Sequence, residues 1–190
     1  MKDGYLADEE FNNENFNHNG LKAAEYENCT FANCNFSGTD LTGIIFIDCE
    51  FDTCDLTNAI IKDVSFRNIN FSGCKMMGLQ FDTCNTLLFD ATFRKCQLNL
   101  CVFAGCKLKD IQFINCGLKE SDFTESILTG ALFSYCDLTN VTFERTNLEK
   151  ADLSTAHDYS IDPEINKVKG AKFSKAGVAG LLEKYHIEVL

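Results

Sequence analysis

Residues 131–153 read ALFSYCDLTNVTFERTNLEKADL, and residues 29–43 read CTFANCNFSGTDLTG. In both, a bulky apolar residue returns at every fifth position: Phe133, Leu138, Phe143, Leu148 and Leu153 in the first, Phe31, Phe36 and Leu41 in the second. The beat continues outward in both directions. It runs from Phe11, Phe16, Leu21 and Tyr26 to Met76 and Phe81, slips by two residues, and resumes from Leu88 through Phe93 and Leu98 to Leu153. A second set, two places before each beat, holds small or compact residues such as Cys29, Cys34, Ala59, Val64 and Ala131.

A period of five suits neither regular element. Five residues advance about 500° around an α-helix, which smears the apolar stripe over the whole cylinder. On a strand an odd period sends successive beats to opposite faces. A short extended piece followed by a corner satisfies the pattern, with the beat and the residue two before it both pointing inward. From beats 31 to 76 the residue two past the beat is Asn33, Gly38, Gly43, Asp48, Thr53, Asn58, Asp63, Asn68, Gly73 or Gly78. Nine of these ten are Gly, Asn or Asp, the residues that tolerate the positive φ of a tight turn. Four such corners close a square coil of 20 residues, and Cys29–Cys49, Cys34–Cys54 and Cys116–Cys136 are spaced by that interval. The coil places Phe93, Phe113 and Phe133 in one column and Leu98, Leu118 and Leu138 in the next.

The two quoted stretches resemble the A(D/N)LXX units of pentapeptide-repeat proteins, and the resemblance extends over about residues 21–155. It implies an all-β fold, a right-handed quadrilateral β-helix of about seven coils and roughly 35 Å length at the ~4.8 Å strand spacing. Residues 1–20 are expected to form an imperfect first coil or cap, because Glu9, Glu14 and Asn19 fall at inward positions where burial is costly. Residues 21–156 form the β-helix, with the two-residue slip near 84–88. Residues 157–173, which include HDYSIDPEINKVKG and the only proline, Pro163, read as a linker. Residues 174–190 read as a short helix and a terminal strand. Ser174 is the expected N-cap, and Val178, Leu181, Leu182 and Tyr185 lie at i, i+3, i+4 and i+7.

Composition narrows the function. The chain is 45% hydrophobic and 24% charged, and no stretch approaches the roughly 18 apolar residues of a spanning helix. The start, Met1-Lys2-Asp3-Gly4-Tyr5, lacks the apolar core of a signal peptide, so a cytoplasmic location is expected. Ten of the eleven cysteines sit at the inward position before a beat and read as small core residues in a reducing compartment. Stacked cysteines about 4.8 Å apart also exceed the ~3.8 Å between Cβ atoms of a disulfide. His18, His157 and His186 are scattered, and Asp55 and Asp137 read as solvated outward acids. No catalytic set, cofactor motif or metal-ligand pattern is expected.

The net charge of −11 argues against binding to nucleic acid or anionic lipid. It is uneven: residues 1–55 hold 12 acids and 2 bases, residues 56–156 hold 11 and 10, and the remainder 5 and 5. The first part therefore carries roughly one negative charge per 1.3 Å of rod, against about one per 1.7 Å in duplex DNA.

The segment AGLLEKYHIEVL resembles the C-terminal end of the quinolone-resistance pentapeptide proteins, which pair tail to tail. The resemblance implies a homodimer through Val178, Leu181, Leu182, Tyr185, Ile187 and Val189; a cap folded over the last coil is the alternative. Those relatives are acidic rods that engage type II topoisomerases at their DNA-binding surface. By resemblance, this chain is expected to be a DNA mimic acting on DNA gyrase or topoisomerase IV, with Glu25, Glu27, Asp48, Glu50, Asp52 and Asp55 in contact with the partner. Unlike many of them it has no long loop, only the slip near Asn85-Thr86-Leu87. The competing reading is a cytoplasmic scaffold that binds another protein through outward apolar residues such as Ile45, Ile47, Ile60, Ile127 and Leu132.

Overall fold

A pentad becomes one side of a square when its fourth or fifth residue turns the chain. In the computed structural model, which describes residues 4–18, 20–22 and 24–188, all ten corner residues from Asn33 to Gly78 take the left-handed conformation, with φ between 52° and 74°. The same corner in later coils is occupied by Lys95, Leu100, Glu120, Glu125, Tyr135, Arg145 and Lys150, at φ of 52° to 62°. There the hydrogen-bonded neighbours impose a conformation that costs an ordinary residue about 1–2 kcal/mol.

The coils stack through parallel pairing at a register of 20. On the first face Tyr5–Ala7, Glu25–Glu27, Ile45–Ile47 and Ser65–Arg67 form a four-stranded sheet. On the second, nine strands run in coil order from Glu10–Asn12 to Lys172–Phe173. The third and fourth faces are joined by single parallel bridges such as Asn35↔Asp55 and Asp40↔Ile60. The result is a four-faced β-solenoid of about eight turns, the quadrilateral β-helix expected from the beat.

Beat residues fill its axis. Phe31, Phe51, Phe71, Phe93, Phe113 and Phe133 stack in one file with ring centroids 4.8 to 5.2 Å apart, and rings from adjacent faces meet them edge-on. All eleven cysteines are buried with free thiols. Their position has a polar role that packing alone does not reveal. Cys54 Sγ donates to the Phe31 carbonyl at 3.2 Å, Cys74 to Phe51 at 3.3 Å and Cys116 to Phe93 at 3.4 Å, in each case in the preceding coil. The hydroxyls of Ser121 and Thr146 do the same to Leu98 and Phe123 at 2.8 Å. The site accommodates a small donor as well as small apolar residues such as Ala59, Val64 and Ala131. Burial pushes the Cys34 and Cys49 thiols up to about 11, and those of Cys101 and Cys106 up to about 12.

Four features depart from the sequence reading. At the slip the register widens from 20 to 22, as Gln80↔Val102 and Lys75↔Gln97 show, and the extra residues form a 3-10 turn, Thr86–Leu88. The beat does not resume at Leu88, which is 58% exposed beside Leu87 at 81%. Phe89 takes the inward slot, edge-on to Phe66 and Phe81 at 6.1 and 5.9 Å. The first coil is also more regular than expected, since residues 5–12 pair in register with 25–32. Glu9 and Glu14 are tolerated because both remain exposed; Asn19 lies outside the described residues.

Residues 157–173 are not a linker but a further coil. His157 bridges to Asp137, Lys167 to Asn147, and Lys172–Phe173 pairs with Asp152–Leu153. Its beat is hidden because Asp158 takes the left-handed turn (φ 58°) where a bulky residue is due, and Tyr159 and Ile161 are buried instead. Asn166 assumes the donor role, its Nδ2 donating to the Phe143 carbonyl at 2.8 Å. Finally, the tail forms two 3-10 turns, Gly177–Leu181 and Glu183–Tyr185, rather than an α-helix. Gly177 and Gly180 disfavour a helix. A side chain at Gly180 would strike the Tyr159 carbonyl, and its own carbonyl accepts from Ile161 N–H at 2.9 Å. No strand follows Phe173 among the described residues, and Val189 lies outside them. No helix among the described residues is long and apolar enough to cross a membrane.

Candidate functional site: an acidic corner

Because the register is 20, outward residues one coil apart lie above one another. Glu25 and Glu27 flank inward Tyr26 on the first face, and Glu50 and Asp52 flank inward Phe51 on the second. Asp48 stands on the left-handed corner between these faces. Glu27, Asp48 and Glu50 converge there on an open groove of about 580 Å³, which Asp8, Tyr5, Asn28, Asn68 and Asn70 also line. Glu25 and Asp52 do not line the groove, nor does Asp55, which begins the third face. The six acids therefore wrap around a corner rather than share one plane.

Asp8 and Tyr5 were not singled out from sequence, although the 20-residue interval joining Asp8, Asn28, Asp48 and Asn68 was available to find them. That column alternates acid and amide. Asn28 Nδ2 donates to Asp8 Oδ1 at 2.6 Å, and Asn68 Nδ2 to Asp48 Oδ1 at 2.5 Å. The Tyr5 hydroxyl donates to Glu27 Oε2 at 2.7 Å. That hydrogen bond, then desolvation and the negative field of Glu27, Asp8 and Glu25, push the phenol up to about 12.

Among the described residues none of the six acids is paired with a lysine or arginine. Every ion pair among the described residues lies at or beyond Lys109: Lys119 with Asp137, Arg145 with Glu125, Lys172 with Asp152, and Lys184 with Asp162 and Glu164 are examples. These six acids thus form no ion pair among the described residues, and their summed field is what such a surface offers a cationic partner.

At the other end the tail lies over the last coils. Lys184 Nζ reaches Asp162 Oδ1 at 2.7 Å and Glu164 Oε2 at 2.5 Å, and the Tyr185 hydroxyl donates to Glu164 Oε1 at 2.7 Å. Leu181 packs against the core and Leu182 is half-buried, whereas Val178, Tyr185 and Ile187 are exposed. The tail therefore caps its own rod while presenting apolar side chains outward.

Two family profiles tile the chain: one described as pentapeptide repeat region matches residues 80–153, and one described as pentapeptide repeats (8 copies) matches 24–49, 34–73 and 49–85. No curated protein matches in sequence. Among solved structures, a trypsin-treated form of QnrB1, a plasmid-mediated fluoroquinolone resistance protein, is similar with a TM-score of 0.64 and 22% identity, covering 95% of this chain and 98% of that one. Full-length QnrB1 gives 0.55 and 20% identity, covering 97% and 100%. These likenesses are of fold.

Proposed function

The chain belongs to the pentapeptide-repeat family, and from that premise we propose that it is an interaction protein that offers its acidic surface, in place of DNA, to a type II topoisomerase such as DNA gyrase or topoisomerase IV, and so modulates quinolone sensitivity. The observation that carries this reading is the set of six acids, Glu25, Glu27, Asp48, Glu50, Asp52 and Asp55, none of them in an ion pair among the described residues, whereas the ion pairs that do form there lie from Lys109 onward. A protein surface built to grip phosphates is lined with lysine and arginine, and it meets a similar density of negative charge here. The fold shared with QnrB1, a fluoroquinolone resistance protein, supports the choice of target. The proposed role is binding, in the cytoplasm, without chemistry at the site.

The test is a gyrase supercoiling assay titrated with this protein, with and without a fluoroquinolone, at two salt concentrations. Inhibition or drug protection that weakens with salt is expected, and it should be lost on combining Glu25→Gln, Glu27→Gln, Asp48→Asn, Glu50→Gln and Asp52→Asn. Equal activity of that variant would overturn the reading.

The assembly proposed with it is a homodimer joined at the tails through Val178, Tyr185 and Ile187, with Leu181 and Leu182 behind them, which places the acidic ends outermost. Light scattering should give twice the 21.3 kDa of one chain, and Val178→Asp with Ile187→Asp should give a monomer; a monomeric wild type would end this proposal. A second reading, a scaffold for another protein, draws on the adjacent exposed Leu87 and Leu88 at the register break. Loss of a captured partner on Leu87→Ser with Leu88→Ser, at unchanged gyrase response, would favour it.

A further inference from the structure

Asp137 and His157 are bridge partners in successive coils of the third face, and Asp158 follows at the next corner. One donor atom from each of the three side chains lies within 4.8 Å of the other two. His157 Nδ1 is 2.8 Å from Asp158 Oδ2, a hydrogen-bond contact between exposed side chains that would open to about 3.4 Å for two ligands at about 2.1 Å on a tetrahedral ion. The Asp137 carboxylate is held in place by its own turn: Thr139 N–H and Oγ1–H donate to Oδ1 at 3.1 and 2.6 Å, and Oδ2 takes the Lys119 ammonium at 3.0 Å. Partial burial opposes its charge, and the Thr139 hydroxyl, the Lys119 ammonium and the Thr139 N–H outweigh that, holding the carboxyl below its ordinary range.

We propose that Asp137, His157 and Asp158 form a binding site for one divalent transition-metal ion of the zinc, cobalt or nickel class, with water in the remaining positions. An imidazole with two carboxylates favours these ions over magnesium and calcium, and the two anions balance the dication. The acidic corner at the opposite end has no imidazole and gives no such preference. Thr139 supplies the outer hydrogen bonds that orient the Asp137 ligand. Lys119 is the competitor: its Nζ sits 3.0 Å from Asp137 Oδ2 on an exposed side chain, and it has to swing aside when the ion enters. The ligands come from two coils, so the ion clamps the last coil, on which the tail rests, to the one before it. Binding to the folded chain alone then raises the stability of that end.

The experiment is calorimetric titration of the full chain with zinc and nickel, with thermal melts recorded in parallel and cobalt absorption as an independent signature of imidazole ligation. The expected result is one ion per chain at micromolar affinity, at least tenfold weaker magnesium binding, and a higher melting temperature with metal. His157→Gln and Asp137→Asn should each weaken binding tenfold or more, and Lys119→Met should tighten it several-fold. His157 is exposed, so its variant should keep the wild-type far-UV spectrum in the absence of metal. No saturable zinc or nickel binding by the wild type would overturn the proposal. So would binding unchanged by His157→Gln, which would assign the ion to scattered acids or to His18 or His186.

Discussion

Phe113→Ala removes an interior ring of the aromatic file that runs from Phe11 to Phe133. Phe113 lies between Phe93 and Phe133, with centroids 5.2 Å away on either side and interplanar angles of 10° and 18°. It also meets Phe103 and Phe123 edge-on at 5.9 and 6.0 Å. Truncating a buried phenylalanine costs about 3–5 kcal/mol, the larger values arising where the walls cannot collapse. Here they cannot, because Gln112–Ile114 is hydrogen-bonded to strands on both sides. Losing four ring contacts, each worth about 0.5–1.5 kcal/mol in part already counted in that figure, places the expected loss near the top of the range, at about 4–5 kcal/mol. A domain stable by about 5–15 kcal/mol would lose a large share of its margin. Urea unfolding followed by far-UV circular dichroism measures the change, and Phe113→Leu, expected to cost about 1–2 kcal/mol, keeps the comparison available if the alanine variant does not fold. In a stack of nearest-neighbour coils a weakened middle coil should also broaden the transition as the two halves uncouple. A loss below about 1 kcal/mol would refute the inward beat at this coil.

Leu100 holds a left-handed corner at φ 62° and is 50% exposed, so Leu100→Gly should relieve about 1–2 kcal/mol of backbone cost, offset by about 0.5–1 kcal/mol of chain entropy; a destabilised variant in urea unfolding would contradict that. The eleven thiols are buried, and a thiol-specific chromogenic reagent should react with them only as fast as the chain unfolds, then with all eleven in denaturant; rapid labelling of several in the native chain would show an opened core. The Asp152 carboxyl is held at about 2 by the Ser154 hydroxyl, the Ser154 N–H and Lys172. A depressed acid contributes stability that is present above its unfolded value near 3.9 and lost as pH falls through the folded one. The melting temperature should therefore drop between about pH 4 and pH 2, and Asp152→Asn should flatten this limb by at most about 1 kcal/mol, since Lys172 is 68% exposed and screened. An identical acid limb in the variant would count against the pairing.

The coil was legible because its two requirements are written separately, the inward pair in Phe, Leu and Cys and the corner in residues such as Asn33, Gly38 and Asp48. Legibility failed where one residue was displaced without changing composition. Leu88 and Phe89 are both apolar, and only the bulge of the 3-10 turn decides which points inward. The last coil was hidden because Asp158 occupies the place of a beat and Pro163 reads as a break, although Tyr159, Ile161 and Asn166 restore the packing. In the tail the i, i+3, i+4, i+7 spacing of Val178, Leu181, Leu182 and Tyr185 was outweighed by two glycines pressed against Tyr159. Of the acidic set, Glu27, Asp48 and Glu50 were brought together, but which faces Glu25, Asp52 and Asp55 occupy depends on where each corner falls. Their lack of ion pairs among the described residues, which carries the functional reading, required the faces to be assigned first, since Lys75 is the bridge partner of Asp55 and yet forms no ion pair with it.

The most direct measurement is equilibrium binding of the full chain to DNA gyrase in competition with duplex DNA, at low and physiological salt, for the wild type and for the variant with Glu25, Glu27, Asp48, Glu50 and Asp52 neutralised. The account predicts a complex that duplex DNA displaces, that salt weakens, and that the neutralised variant does not form. A complex of equal strength for both proteins that coexists with bound DNA, or no complex with the wild type, would contradict it.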